Sequence, residues 1–150
     1  MSVYEDRDAE IVREVKDGIC STIGEENLIY MQDLSQREIS QYYYLVDFFI
    51  MTSCFESFGK AAVEAMSRKC IVLSTAVGGL TEVIGNEADL YDMNNLDGLA
   101  GRIRSLLDDP DAMGREREMF YKRYSDNYTI EKNVCGHIEL YDEILCKRLR

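Results

Sequence analysis

The segment CFESFGKAAVEAM, residues 54–66, carries two carboxylates on either side of a turn. Glu56 precedes the turn at Gly59, and Glu64 follows it, with seven residues between the two acids. Eight helical steps of about 1.5 Å would separate these carboxylates by roughly 12 Å. Carboxylate pairs that cleave one glycosidic bond lie about 5 to 9.5 Å apart, so this spacing suits a longer ligand better than acid–base chemistry at one bond.

The turn between the two acids could bind an anion. Backbone amides at the start of a helix are free to donate, and a glycine lets a phosphate approach the backbone closely. The amides around Phe58, Gly59 and Lys60 therefore form a candidate phosphate site. A structural alternative stays open, in which Lys60 and Glu64 are an i, i+4 pair on a solvated face and Glu56 is an acid favoured by the helix dipole.

Strands and helices alternate along the rest of the chain, which favours an α/β fold with a parallel sheet. The runs DFFIMTS and CIVLST are continuously apolar and are expected to be strands buried on both faces. NLIYM (27–31) and ADLYD predict two shorter strands, which makes about four strands in one domain. Helices are predicted over residues 7–23, 35–46, 95–108, 110–124 and 129–148, the last with Thr129 as its N-cap. A further helix follows Gly59, and its apolar residues are expected to form one buried stripe: Phe58, Ala61, Ala62, Ala65 and Met66.

Composition excludes several classes of function. The formal net charge of −11 argues against a nucleic-acid partner, because phosphate backbones are bound by clustered lysine and arginine. The N-terminus is too polar and acidic for a secretory signal, and no apolar run is long enough to span a membrane. The cysteines are scattered and, with a single histidine, predict neither a metal site nor a disulfide framework: Cys20, Cys54, Cys70, Cys135 and Cys146. Reduced thiols in a cytoplasmic protein are the expectation.

The stretch SCFESFGKAAVEAMSRKCIVLSTAVGGLTEVI resembles the signature of the family 4 glycosyltransferases, which are retaining enzymes of the GT-B fold with Rossmann-like domains. That signature is a serine, a glutamate and Phe-Gly, then Glu-Ala-Met, then Gly-Gly-x-x-Glu. The matching positions are Ser53, Glu56, Phe58, Gly59, Glu64, Ala65, Met66, Gly78, Gly79 and Glu82. With similar flanking segments, the resemblance covers about residues 10–145.

The resemblance implies a nucleotide-diphosphate sugar as the ligand between the two acids. Glu56 would be the catalytic residue that orients the transferred hexose and steadies the charge at its anomeric carbon, and Glu64 would bind the ribose hydroxyls. The amides of Ser57, Phe58, Gly59 and Lys60 would meet sugar or diphosphate oxygens, so that neither a metal nor another cofactor is needed.

The resemblance says less about the other residues near the signature. Gly78 and Gly79 would form either a tight strand-to-helix connection or part of the ligand site, and Glu82 would be a structural acid. Asp33 and Leu34 fall where the family contacts the base, although Gln32 replaces the usual glycine. Two further residues are expected to have no catalytic part, namely Cys54 as a buried structural thiol and His137 as a surface or packing residue.

The resemblance covers only part of the second of the two domains of such an enzyme. The chain is therefore expected to be a partial donor-binding domain, whose partner is an N-terminal acceptor half. Strands 1 and 2 of the family's order 3-2-1-4-5-6 are missing, so either strand 3 moves beside strand 4 or two chains pair as a homodimer. The alternatives are a non-catalytic α/β interaction module and a nucleotide-sugar epimerase, which would need further histidine and acidic residues.

Overall fold

The computed structural model describes the backbone of residues 3–148 and the side chains of residues 9–147. It divides into two compact units, Met1–Ser35 and Gln36–Arg150. In the first unit, helix α1 (Val3–Ile23) is followed by a 3₁₀ turn at Glu25–Asn27. Gly24 separates the two with a φ of 87°, a left-handed conformation that favours glycine.

The segment NLIYM in the first unit is not a strand. Leu28 is half-buried and Ile29, Tyr30 and Met31 are exposed. The ammonium of Lys16 lies 3.2 Å from the ring centroid of Tyr30. The prediction of a strand at 27–31 was wrong. A strand needs a neighbouring strand to take up its backbone hydrogen bonds, and the described part of this unit offers only a helix and a turn.

The second unit is an α/β domain with a three-stranded parallel sheet of order β1-β2-β3. The strands are β1 (Phe48–Met51), β2 (Ile71–Thr75) and β3 (Leu90–Tyr91). The helices are α2 (Gln36–Tyr42), α3 (Lys60–Met66), α4 (Leu80–Ile84), α5 (Leu96–Leu107), α6 (Pro110–Asn127) and α7 (Ile130–Arg148). The predicted α/β class with a Rossmann-like parallel sheet and flanking helices is confirmed, with three strands in place of about four.

The central strand and the edge strand differ in burial. All five residues of β2 are buried, as its continuous apolar sequence predicts. Among the described residues β1 pairs only with β2, in the register Phe48 with Ile71, and Ile50 is 42% exposed. The prediction that β1 is buried on both faces was wrong, because no described residue forms a strand along its outer edge.

The core of the second unit lies between β2 and the helices that cover the sheet. α3 contributes Ala62, Ala65 and Met66, whose small side chains allow the helix to pack closely on the strands. Phe58 was expected on the same buried stripe, but it is 46% exposed because it precedes the helix. Among the residues whose side chains are described, Phe120 of α6 is the largest that is fully buried.

Helix α7 is capped as predicted, but its apolar stripe is exposed. The Thr129 hydroxyl accepts a hydrogen bond from the amide of Lys132 at 3.3 Å. The residues of the predicted stripe are each at least half exposed: Ile130, Val134, Ile138, Tyr141 and Leu145. Of the helices in the described residues, none is both long enough and apolar enough to cross a membrane.

Candidate functional site

Residues 52–59, which we call the Glu56 loop, connect β1 to α3 at the carboxyl edge of the sheet. The amides of Phe58 and Gly59 donate to Glu56 Oε1, at 3.3 and 3.1 Å. These two amides were expected to be free for an anion, and that expectation was wrong. The Glu56 side chain folds back over its own loop and satisfies the donors that open the turn into α3.

Gly59 is required by the fold itself. Its φ is 97° and its ψ is 49°, which is the left-handed region. A Cβ at Gly59 would lie 2.6 Å from Leu80 Cδ2, so the core fills the space where a side chain would stand. The predicted turn at Gly59 is confirmed, and Leu80 fills the space that a side chain at this position would occupy.

The Gly78-Gly79 turn packs directly on the Glu56 loop. The amide of Gly79 donates to the Glu56 carbonyl at 3.0 Å. A Cβ at Gly78 would lie 2.0 Å from that carbonyl oxygen, and a Cβ at Gly79 would lie 2.4 Å from the carbonyl oxygen of Ser57. Of the two roles predicted for this pair, these contacts account for the tight structural connection.

Glu64 is held by a residue of another helix. It is half-buried, and its Oε1 accepts a hydrogen bond from Gln36 Nε2 of α2 at 2.8 Å. Burial first, and then the charge of Glu64, raises the pKa of the neighbouring Tyr43 hydroxyl. The alternative of a solvated Lys60–Glu64 pair is not realised, because these two side chains form no ion pair among the described residues.

Glu64 lines a cleft of about 460 Å³ within the second unit. Side chains of α2, α3, α6 and α7, and of the residues next to these helices, line it: Gln36, Phe58, Lys60, Val63, Glu64, Ser67, Tyr124, Tyr128, Thr129, Ile130 and Asn133. Lys60 is exposed at its edge, and no residue of the described range accepts a hydrogen bond from its ammonium. Its volume is within the range of about 300 to 1,000 Å³ that is usual for small-molecule sites, and both apolar and polar side chains line it.

The predicted residues thus fall into two places. Phe58, Lys60 and Glu64 share the cleft. The loops at the carboxyl edge of the sheet contain the remaining ones: Glu56, Ser57, Gly59, Gly78 and Gly79. Asp33 and Leu34 belong to the first unit.

Three residues outside this group can also be placed. Glu82 lies in the first turn of α4, as predicted for a structural acid. His137 is exposed, which confirms a surface position. Cys54 is exposed as well, so the prediction of a buried thiol was wrong.

The sequence did not mark four residues of the cleft: Gln36, Tyr124, Tyr128 and Asn133. Gln36 lies 28 residues before Glu64, and nothing in local spacing connects them. Tyr121, Tyr124 and Tyr128 do recur at helical spacing, which was an available signal of aromatic side chains on one face.

A second polar cluster lies away from the cleft, around the buried Asp89. Arg102 Nε donates to Asp89 Oδ1 at 3.0 Å and Asn86 Nδ2 donates to Asp89 Oδ2 at 2.6 Å, while Glu116 accepts from both Arg102 and Asn86. Burial first, and then the neighbouring Glu116, raise the pKa of Asp89 to about 7, although the Arg102 guanidinium opposes the shift. No group of three or more potential metal ligands is found among the described residues.

Residues 12–128 match the sequence profile of the family described as "Glycosyl transferases group 1". The match covers most of the chain and contains Glu56, Glu64 and the Gly78-Gly79 turn. The protein therefore belongs to the group 1 glycosyl transferases.

Several curated proteins are similar to this chain. An uncharacterized glycosyltransferase of Methanocaldococcus jannaschii is 29% identical over an alignment of 126 residues, and the match covers 79% of this chain. A glycogen synthase of Mycobacterium tuberculosis is 27% identical over 114 residues, or 75% of this chain. A probable sucrose-phosphate synthase of Thermosipho melanesiensis is 27% identical over 113 residues, or 73% of this chain.

These relatives are much longer than the region that matches. The matched region is 35% of the M. jannaschii protein, 28% of the glycogen synthase and 26% of the sucrose-phosphate synthase. The chain thus spans about a third or less of the length of the relatives it matches.

Proposed function

We propose that this chain supplies the donor-binding half of a retaining glycosyltransferase of the GT-B fold, which transfers a sugar from a nucleotide-diphosphate sugar. The observation that carries the proposal is the partial burial of Glu64 in the cleft and its hydrogen bond from Gln36. A half-buried carboxylate with one oxygen fixed by Gln36, at the side of a cleft, is suited to accept hydrogen bonds from the two ribose hydroxyls.

Lys60 would bind the diphosphate. It lies one helical turn before Glu64 in the same cleft, and its ammonium is unpaired among the described residues. In a chain of net charge −11, an unpaired lysine in a cleft whose other charged lining residue is Glu64 gives a local site for an anion. The backbone amide of Lys60 adds a donor at the same end of α3.

Glu56 would be the catalytic residue that contacts the transferred hexose. Its Oε1 is taken by the amides of Phe58 and Gly59, which fixes the carboxylate at the carboxyl edge of the sheet. Its second oxygen has no hydrogen-bond partner among the described residues and can accept from a sugar hydroxyl. The reaction as proposed uses neither a metal nor a cofactor.

Transfer would also need an acceptor half, which we propose as the partner of this chain. The lengths of the relatives support this, since each carries about twice as much chain, or more, beyond the matched region. The unpaired edge of β1 is a place where a further parallel strand could add. A homodimer through this edge is the alternative arrangement, and we expect light scattering of the purified chain to separate it from a 17.3 kDa monomer.

The experiment is an NMR titration of the chain with the diphosphates of adenosine, guanosine and uridine. We expect one of them to shift the amide signals of residues 56–64 with a Kd of about 1 mM, or about −4 kcal/mol. The affinity is weak because an isolated donor half offers a single cation to the diphosphate. Absence of shifts at tens of millimolar, or shifts confined to other residues, would contradict the proposal.

The second candidate function is a non-catalytic interaction module. The exposed apolar stripe of α7 favours it, because exposed apolar faces of this kind often mark protein interfaces. In that case the signature residues would serve folding alone, and the close packing at Gly59, Gly78 and Gly79 is compatible with such a role. The same titration separates the two candidates, since the module predicts no nucleotide binding. Membership in the glycosyl transferase family favours transfer over epimerisation.

A further inference from the structure

Helix α7 is exposed along most of its length. Residues 131–147 are all exposed, and the ion pair of Lys147 with Glu143 lies within the helix itself. A helix of this length is only marginally stable in water without tertiary contacts, and Gly136 in its interior lowers its stability further. The helix therefore needs a surface to pack against.

Four apolar residues of α7 form a narrow stripe, which we call the α7 seam: Val134, Ile138, Tyr141 and Leu145. Successive members are four, three and four residues apart, and each is at least half exposed. Alternation of four and three is the spacing at which two helices pack along each other. The seam therefore has the pattern of one half of a helix pair.

The spacing of the α7 seam is the same in both directions along the helix. It is therefore complementary to a second copy of α7 that runs the opposite way. About a two-fold axis between residues 139 and 140, Val134 faces Leu145 of the second copy, and Ile138 faces Tyr141 of the second copy. Such a contact uses the same surface on both copies and closes as a dimer.

Charge favours the antiparallel arrangement over the parallel one. Glu131 lies three residues before Val134 and continues the spacing of the seam, so parallel pairing would bring two Glu131 carboxylates together. Antiparallel pairing places them at opposite ends of a helix about 28 Å long. It also separates the α/β bodies of two chains that each have a net charge of −11, because each body lies at the N-terminal end of its α7.

We propose that α7 is a dimerisation helix, which pairs through the α7 seam with the antiparallel α7 of a second copy of this chain. The proposal does not depend on the function proposed above, because none of the four seam residues lines the cleft that contains Glu64. It also differs from a homodimer through the edge of β1. The contact is shorter than a standard interface, so we expect a Kd on the order of 10 to 100 µM.

The first test is the mass of the chain in solution. Sedimentation equilibrium between about 5 and 500 µM spans the expected Kd, and a reducing agent prevents disulfides through the exposed Cys135 and Cys146. We expect the average mass to rise from that of the 17.3 kDa monomer towards twice that value. A mass that stays at 17.3 kDa over the whole range would overturn the proposal.

Ile138→Glu and Leu140→Glu form a matched pair of variants. Both side chains are apolar and about half exposed, but Leu140 lies about 200° from Ile138 around the helix and outside the seam. The two-fold axis repeats each change, so Ile138→Glu should raise the Kd of the dimer by more than about tenfold. Leu140→Glu should leave it within about twofold of the wild type. Equal Kd values for the two variants would place the contact elsewhere and overturn the proposal.

Val134→Lys and Leu145→Glu test the antiparallel register. Each variant alone places a charge against an apolar residue of the second copy and should weaken the dimer. In a mixture of the two, the introduced lysine meets the introduced carboxylate and the unchanged residues meet at the other end of the seam, so dimers should form again. Parallel pairing predicts no recovery, because it brings identical positions together. Val134→Lys mixed with Leu140→Glu is the control, and equal masses for the two mixtures would overturn the antiparallel pairing.

Discussion

The Asp89 cluster and the Glu64 cleft are both groups of charged residues in the second unit, but they are built in opposite ways. Asp89 is 1% exposed, and its two oxygens are taken by Arg102 and Asn86. Glu64 is half-buried with one oxygen held by Gln36, and Lys60 beside it has no partner among the described residues. The Asp89 cluster is buried and both carboxylate oxygens of Asp89 have hydrogen-bond partners. The Glu64 cleft is open, and its charged groups can still form hydrogen bonds with a ligand.

This difference separates a structural cluster from a candidate site. A strongly shifted pKa is often taken as a sign of a functional residue, and the pKa of Asp89 is strongly raised. Yet burial, the first cause of that shift, also closes Asp89 off from a ligand, and its partners join the segment before β3 to α5 and α6. In this protein the unpaired groups around Glu64 are the better indication of binding.

The largest effect is expected for Arg102→Met. It leaves two carboxylates of low exposure, Asp89 and Glu116, without their cation, and breaking such a buried pair costs about 3 kcal/mol. The free energy of unfolding, measured with urea, should fall by about that amount. Lys60→Met is the comparison, and it should change the same quantity by less than about 0.5 kcal/mol. Equal effects of the two variants would remove the distinction between the clusters.

Gly79→Ala should have the next largest effect, because it separates the two loops at the carboxyl edge of the sheet. The added Cβ would meet the Ser57 carbonyl oxygen and the Phe58 Cα, which belong to the backbone and cannot move aside like a flexible side chain. We expect a loss of about 2 kcal/mol in the free energy of unfolding. Gly101→Ala, where a Cβ meets nothing within 4 Å, is the matched control and should not destabilise the protein.

The pH dependence of stability gives a third, smaller effect. Asp89 has a pKa of about 7 in the folded protein, against 3.8 for a free aspartate. Between these pH values the folded state keeps a proton that the unfolded state has lost, so this residue makes stability fall as pH rises from about 4 to 7. Asp89→Asn should remove that contribution, which urea titrations at several pH values can measure. A wild type and a variant with parallel pH profiles would show that Asp89 ionises normally.

Glu64→Gln should have the smallest effect on stability. A glutamine oxygen can still accept the hydrogen bond of Gln36, and the side chain stands at the edge of a cleft. We expect the free energy of unfolding to change by less than about 0.5 kcal/mol. Thermal denaturation followed by circular dichroism is the measurement, and a large loss would place Glu64 with Asp89 among the structural groups.

The parts of the fold that depend on local pattern could be predicted from the sequence. The continuous apolar run of β2, the glycine turn at Gly59 and the Thr129 cap each follow from neighbouring residues. The strand expected at 27–31 and the burial of β1 could not be predicted, because both depend on which strand lies alongside. Sequence pattern does not contain that information.

The candidate site was predictable to a similar degree. Glu64 and Lys60 were marked by their spacing, and the structure places them in one cleft. Gln36, Tyr124 and Tyr128 also line the cleft, and Gln36 donates a hydrogen bond to Glu64. These residues are distant from Glu64 in the sequence, so their positions in the cleft could be seen only in the structure. The amides of Phe58 and Gly59 were expected to be free, because a sequence does not show a side chain that folds back on its own loop.

The most direct test of the account is the affinity of Glu64→Gln for the nucleoside diphosphate that binds the wild type, measured by NMR titration. Loss of the carboxylate charge removes a charge-assisted hydrogen bond to ribose, so we expect binding to weaken by about tenfold. Glu82→Gln makes the same change of charge at an exposed glutamate of α4 and should leave the affinity unchanged. Equal affinities of wild type and Glu64→Gln would contradict the claim that Glu64 binds the nucleotide.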